Sequence, residues 1–271
     1  MKLRFLLVLL SLLPAMVDAN DILRLASSTS AVNSGLLPKL IPVFEKATGF
    51  KVEMQSVGSG NALRMGRAGK VDVVLVHLQE SEIKFMQDGH GVIHRQVMKN
   101  DYVIAGPKDD PANIKGSNNA IEAFQKIART KSPFVSRADN SGTSRRELKI
   151  WQAGNIEPYG ESWYWEVGLG MGASLSQASD MNAYIFTDLG TWLSYKNSIA
   201  LIILTQDDKR LENIYSVITV NPEHHPGINY KAAEAFADWI VSEPAQQLIA
   251  DFRVEEEVLF TPLALPIKTA Q

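Results

Sequence analysis

Short apolar runs of strand length alternate along this chain with segments whose apolar residues recur at helical spacing. That alternation narrows the fold more than any other feature. Residues 71–76 are almost continuously apolar, as in a strand buried on both faces. Leu36, Leu37, Leu40, Ile41 and Phe44 mark one face of a helix that Thr48-Gly49 ends, with Pro38 and Pro42 working against a straight one. Further strands are expected at residues 21–25, 50–55, 102–105, 133–135, 183–187, 199–204 and 215–220. Helices are expected at 62–66, 80–88, 120–128, 144–151, 173–181 and 188–195. A last, long helix is expected over 232–250, with Phe236, Trp239, Ile240 and Leu248 on its core side. Strand and helix taking turns in this way imply an α/β fold with mostly parallel sheets. The sequence contains no internal repeat and no low-complexity stretch.

Three connections between a strand and the following helix share one chemistry. They are Ser27-Ser28-Thr29-Ser30, Val57-Gly58-Ser59-Gly60 and Arg137-Ala138-Asp139-Asn140-Ser141-Gly142-Thr143. In open parallel sheets ligands sit outside the carboxyl ends of the strands, where such loops converge. Helix N-termini carry free N–H groups and partial positive charge, so anions bind there. Arg137 adds a planar fork of donors, Ser141 and Thr143 add hydroxyls, and Gly142 lets the backbone approach a ligand closely. One such loop would read equally as an N-capped helix with a surface arginine; three in register with the βα pattern point to an anion site. Asp139 is expected to pair with Arg137 or to cap backbone N–H groups, since a carboxylate facing a dianion would repel it.

The first residues read as an export signal. Lys2 and Arg4 precede the apolar run 5–13, and Val17-Asp18-Ala19 offers small residues for cleavage after Ala19. The run is too short to span a membrane. The sequence has no cysteine, which excludes a disulfide framework, a lipid anchor on cysteine and a thiolate metal site, and suits the periplasm. Without Lys2, Arg4 and Asp18, the 27 basic and 30 acidic residues become 25 and 29, a net of −4. An acidic chain is a poor general nucleic-acid binder, so attraction for an anion must be local.

Other candidate motifs are weak. His224-His225 followed by Pro226 reads as a turn and lacks helical metal-ligand spacing. Trp163, Tyr164 and Trp165 read as core or cleft-edge packing. Glu161 and Glu166 have no evident partner for acid–base chemistry. No Gly-x-Ser-x-Gly elbow surrounds Ser141.

Ala26-Ser27-Ser28-Thr29-Ser30, Val57-Gly58-Ser59-Gly60, Val71-Asp72-Val73-Val74-Leu75-Val76-His77, Asn100 to Pro107 and Ser136 to Thr143 together resemble the tungstate-binding proteins of bacterial ABC importers. The resemblance continues through Gly170-Met171-Gly172, Thr187-Asp188, residues 215–222 and residues 236–242. It implies a two-lobed type II periplasmic-binding-protein fold with the ligand in the interlobe cleft. Lobe 1 would comprise residues 20–101 and 221–271, lobe 2 residues 102–220, joined by two crossover strands, after a signal peptide at 1–19. The implied ligands of the oxyanion, tungstate or molybdate, are Ser28, Thr29, Ser30, Ser59, Arg137, Ser141, Gly142 and Thr143. No metal, cofactor or catalytic residue is implied, and the partner is an inner-membrane permease, the binding protein itself being a monomer. The chain departs from the family's usual pattern at Ser27-Ser28, at Ala138-Asp139-Asn140 and at Leu189, where an arginine is usual.

The central loop also resembles that of periplasmic phosphate binders. Phosphate keeps a proton near neutral pH and needs an acceptor, and His77 stands where those proteins place an aspartate. Tungstate, molybdate and sulfate need donors only, which disfavours phosphate. Two alternatives are a secreted hydrolase with Ser141 as nucleophile, which needs a histidine in hydrogen-bond reach, and a periplasmic oxyanion sensor without a transporter.

Overall fold

The computed structural model describes residues 21–139 and 141–264. The expected signal segment lies outside the described residues. The chain begins with β1 (Ile22–Ser28), α1 (Thr29–Asn33), α2 (Leu36–Thr48), β2 (Lys51–Val57), α3 (Ser59–Arg67), β3 (Val73–Val76), α4 (Gln79–Gln87) and the long β4 (Gly91–Gly106). It continues with α5 (Ala120–Thr130), β5 (Phe134–Ser136), α6 (Gly142–Ala153), β6 (Tyr164–Glu166), α7 (Met171–Asp180), β7 (Tyr184–Asp188), α8 (Leu189–Tyr195) and β8 (Ile202–Thr205). β9 (Glu212–Val220), α9 (Tyr230–Ile240), α10 (Glu243–Ala250), a small ribbon of β10 (Arg253–Val254) and β11 (Glu257–Val258), and β12 (Thr261–Pro262) complete it.

The sheet order is β2-β1-β3-β9-β4-β7-β5-β6. Strands joined through helices pair in parallel, β1 with β2 and β3, and β5 with β6 and β7. The antiparallel pairings of this sheet involve β4 and β9. β4 belongs to both halves: residues 91–101 pair with β9, while Tyr102–Ala105 pair with β7. The sequence showed only the second part. Residues 91–96 alternate between half-buried and exposed and carry His94, Arg95 and Gln96, so they lack the apolar run that marks the other strands.

Each half has its own core, as two βα layers must. In the first, Leu36, Leu37, Leu40 and Phe44 of α2 pack with Leu23, Leu25, Tyr215 and Phe236. α2 stays continuous through Pro42, and Gly49 ends it at φ 83°. In the second, Phe124, Phe134, Trp151, Tyr184 and Phe186 form an aromatic cluster that also takes in Trp163 and Tyr164, while Trp165 is half exposed. Asp72 lies at the far end of β3, buried, where it accepts from the Arg24 guanidinium (2.5 and 3.1 Å) and from the backbone N–H of Arg24 and Asn229 (2.8 Å each). That role is structural.

Two expectations need correction. The helix expected over 232–250 is two helices, α9 and α10, because Pro244 sits in the first turn of the second and cannot continue the ladder of the first. The break lets the buried Gln246 amide donate back to Ile240 O (2.9 Å) and to Val97 O (3.0 Å). The last strand starts at Glu212, and its partners β3 and β4 (residues 91–101) lie in the first half. The strand expected at 215–220 thus begins three residues earlier.

Candidate functional site

The parallel strands direct their carboxyl ends at a cleft of about 870 Å³ between the two halves. All eight residues expected at an anion site line it: Ser28, Thr29, Ser30, Ser59, Arg137, Ser141, Gly142 and Thr143. They arrive there because the α/β pattern puts each hydroxyl-rich loop at a strand-to-helix junction. β1 ends in Ser28, which caps α1 by accepting from Ala31 N–H (3.3 Å). β2 leads into α3, whose first residue Ser59 is buried. β5 leads through the arginine loop to Ser141, the N-cap of α6, whose side-chain oxygen accepts from Ser144 N–H (3.3 Å) while the hydroxyl bonds the Asp139 carboxylate.

Arg137 has a mixed environment. One terminal nitrogen is salt-bridged to Asp139, whose other oxygen accepts from Ser141 N–H (3.2 Å). Asp139 thus pairs with the arginine and caps the backbone as well, and Ala138 at φ 47° makes the reversal that brings it there. Burial works to raise the Asp139 pKa, but the hydrogen bonds from Ser141 and the charge of Arg137 outweigh it and hold the carboxyl below its ordinary value. The Nε–H of Arg137 is buried and has no hydrogen-bond partner among the described residues. A buried donor left unsatisfied costs about 1–3 kcal/mol, so this nitrogen is poised for an acceptor that enters from outside.

A match to the PBP superfamily domain covers residues 19–244. The chain belongs to the PBP superfamily. The tungstate-binding protein TupA of Peptoclostridium acidaminophilum is 43% identical over 244 residues, covering 89% of this chain and 85% of that protein. TupA of Campylobacter jejuni is 38% identical over 235 residues, covering 85% and 87%. The solved structure of TupA from Desulfovibrio alaskensis G20 superposes with a TM-score of 0.84 at 41% identity, covering 90% of this chain and 99% of that one. The α/β, two-lobed type II periplasmic-binding-protein fold expected from the sequence is the fold found.

Within this PBP-superfamily cleft stand residues that the sequence did not single out. Arg64 and Arg145 line it, so Arg137 is not its sole cation. Arg64 lies on α3 and Arg145 on α6, both beyond the loops that carried the hydroxyl signal. A further helix head, α7 with Gly170 as N-cap, joins α1, α3 and α6 at the cleft, and Tyr195 and Thr191 of α8 complete that side. Asp188 also lines it, but its oxygens accept from Thr191 N–H (2.8 Å) and the Thr191 hydroxyl (2.7 Å). Leu189 does not line the cleft; it packs against the core of the first half. The substitution at that position therefore bears on how the halves pack, not on ligand contact.

His77 is the residue whose role changes most. In place of a carboxylate, its half-buried ring lines the cleft. Its Nδ1–H donates to Asn213 Oδ1 (2.8 Å), and Asn213 Nδ2 in turn donates to Asn100 Oδ1 (2.8 Å). Nε2 lies 3.3 Å from the Ser30 hydroxyl. Burial pushes its pKa down from the ordinary value, against the Asn213 bond and the charges of Glu82 and Asp188. Behind the arginine loop, Glu147 of α6 accepts from the hydroxyls of Ser136 (2.9 Å) and Tyr164 (2.8 Å) and from Trp151 Nε1–H (3.1 Å). Burial raises its carboxyl to about 7 in spite of those bonds. This acid joins β5, α6 and β6 just beneath the loop.

Proposed function

We propose that this protein is a periplasmic solute-binding protein that captures tungstate, with molybdate as its nearest competitor, and hands it to the permease of an ABC importer. The observation that carries the reading is the convergence of hydroxyls, helix heads and a buried, unpartnered arginine N–H on one cleft. Ser28, Thr29, Ser30, Ser59, Ser141 and Thr143 would surround the anion with hydroxyl and backbone donors, Gly142 would bring backbone close, and Arg137 would supply the charge-assisted contact. A fully ionised dianion needs donors alone, and the names of the relatives agree with that chemistry. We further propose that the lobes are residues 20–101 with the segment from Glu212 onward, and residues 102–211, closing over the anion. The signal would be cleaved near Ala19, the exported protein would be monomeric, and no cofactor would be required. No helix among the described residues is long and apolar enough to cross a membrane.

The hydrolase reading has no support in the geometry. His77 is the histidine nearest the arginine loop in the cleft lining, and its two nitrogens face Asn213 and Ser30, not Ser141. Competitive calorimetry with tungstate, molybdate, sulfate and phosphate tests the proposal. Tungstate and molybdate should bind, and sulfate and phosphate should compete weakly. Tight phosphate binding with no tungstate binding would overturn it. Dependence of tungstate uptake on the neighbouring permease would separate transport from sensing.

A further inference from the structure

The cleft is lined by Arg64, Arg137 and Arg145 and by Asp139 and Asp188, a net of one positive charge. A dianion entering it would leave the site one charge short. Helix heads supply partial charge only. One further lining residue can change its charge near neutral pH, and that is His77.

The hydrogen bonds around His77 fix its state in the free protein. A carboxamide oxygen can only accept, so the contact with Asn213 Oδ1 places a hydrogen on Nδ1. The orientation of Asn213 is set by its own donation to Asn100. In the neutral ring Nε2 is then a bare lone pair, with the Ser30 hydroxyl in reach to donate to it. Ser30 also lies 3.1 Å from both Ser28 Oγ and Tyr215 Oη, so its hydrogen has one place to go at a time. The ring stacks on Tyr215, with centroids 4.6 Å apart, and abuts the head of α6, where a Cβ on Gly142 would lie 3.6 Å from Cε1.

We propose that His77 is a proton-linked contact for the anion, taking up one proton from solvent at Nε2 as the dianion binds. The N–H bond formed there turns an acceptor in the cleft into a donor and frees the Ser30 hydroxyl hydrogen to point at the anion. It also brings the charge of the lining to that of its ligand. Charged and titratable groups face the ring from every side. Glu82 of α4 and Asp188 at the head of α8 favour the proton, and Glu80, Arg145, Arg146 and Lys149 line a second pocket beside the ring. Tyr102 and Tyr215 stay neutral, their phenols pushed well up by burial. Burial keeps the ring neutral in the free protein. An anion at contact range favours the charged ring, so the bound dianion works against that burial.

The inference rests on the oxyanion reading above, and calorimetry separates the two. Tungstate is titrated into the full exported chain at about pH 7 in Pipes and in Tris, whose ionisation heats differ widely. Uptake of up to one proton per site should make the two heats differ, and the affinity should fall by up to about tenfold per unit between about pH 7 and pH 8.5. His77→Gln should still bind, more weakly, with equal heats in both buffers and a flat pH profile. Glu147→Gln, which removes the other buried acid titrating near neutrality, should keep the buffer dependence. Absence of binding in either buffer would overturn the oxyanion reading and this inference with it. Tight binding with equal heats in the unsubstituted protein would overturn the proton link alone, as would a buffer dependence that survives in His77→Gln. Should His77→Gln fail to fold, the ring ¹⁵N shifts of the unsubstituted protein decide: a neutral pattern that tungstate leaves unchanged refutes the proposal.

Discussion

Replacing Arg137 by alanine removes the guanidinium from a loop in which it is only 15% exposed at the side chain. Its buried Nε–H has no partner among the described residues, so the contact it makes with a bound oxyanion is uncontested. Truncating one side of a buried, hydrogen-bonded charge pair costs about 2–5 kcal/mol, much of it from the charge left unpaired. At about 1.4 kcal/mol per decade, tungstate affinity should fall by about thirtyfold to a few thousandfold. The structure adds a second contribution. Arg137 is salt-bridged to Asp139, and without it that carboxylate would face the anion with its charge uncompensated. The loss should therefore lie in the upper part of the range, and Asp139→Asn in the Arg137→Ala background should recover part of it. Arg137→Lys should recover another part, since an ammonium lacks the planar fork. Lys126→Ala, on α5 away from the cleft and paired with Glu122, is the control and should bind as the unsubstituted protein does. Arg146 is unsuitable as a control because its guanidinium donates to Glu212 O (2.8 Å), at the start of β9 beside the cleft-lining Asn213. The assay is calorimetry, with melting curves showing that each variant is folded. If Arg137→Ala folds normally and binds tungstate with unchanged affinity, the cleft is not the anion site.

Saturation with tungstate at about a thousandfold excess over its dissociation constant should stabilise the protein by about 4 kcal/mol, read as a rise of roughly 8–16 °C in melting temperature. An unmoved melting curve would count against the ligand. Glu147 should make the free protein lose stability as pH rises. Its folded carboxyl titrates at about 7 against an ordinary 4.5 because it is buried, so the folded state holds the proton that the unfolded state has released. The contribution, on the order of 3 kcal/mol, is present below about pH 4.5 and lost as pH rises through about 7. Glu147→Gln should flatten this slope in urea unfolding across that window, and an unchanged slope would show that Glu147 titrates normally. Gly172→Ala should cost no more than about 1 kcal/mol, because its Cβ would meet only the ring end of the half-buried Tyr195 side chain, which can swing aside. Tyr195→Ala should suppress that penalty in the double variant; if it does not, the clash is not its source.

The α/β class and the loops that matter are legible in the order of residues alone. Periodicity is local, so the runs in β1, β3 and β7 and the stripe on α2 show without knowledge of their partners. The Ser27–Ser30, Val57–Gly60 and Arg137–Thr143 loops stand out because hydroxyls, glycine and arginine were read against a strand before and a helix after. Tertiary structure decided what depends on partners far along the chain. The first part of β4 carries no apolar run, and β9, pairing with it and with β3, makes it a strand. Pro244 marks the junction between α9 and α10 locally, but the partner that Gln246 finds there, Val97 O, lies 149 residues away. Arg64 and Arg145 joined the cleft because α3 and α6 point there, whereas Leu189 left it because α8 turns that residue to the core of the other half. His77 reads in sequence as one histidine after a strand. Its tautomer is set by Asn213, 136 residues later, and that bond arises only when β9 folds back beside β3. Residue types fix which donors and charges a chain can offer, but their protonation and direction are set by neighbours that only the folded backbone brings within reach.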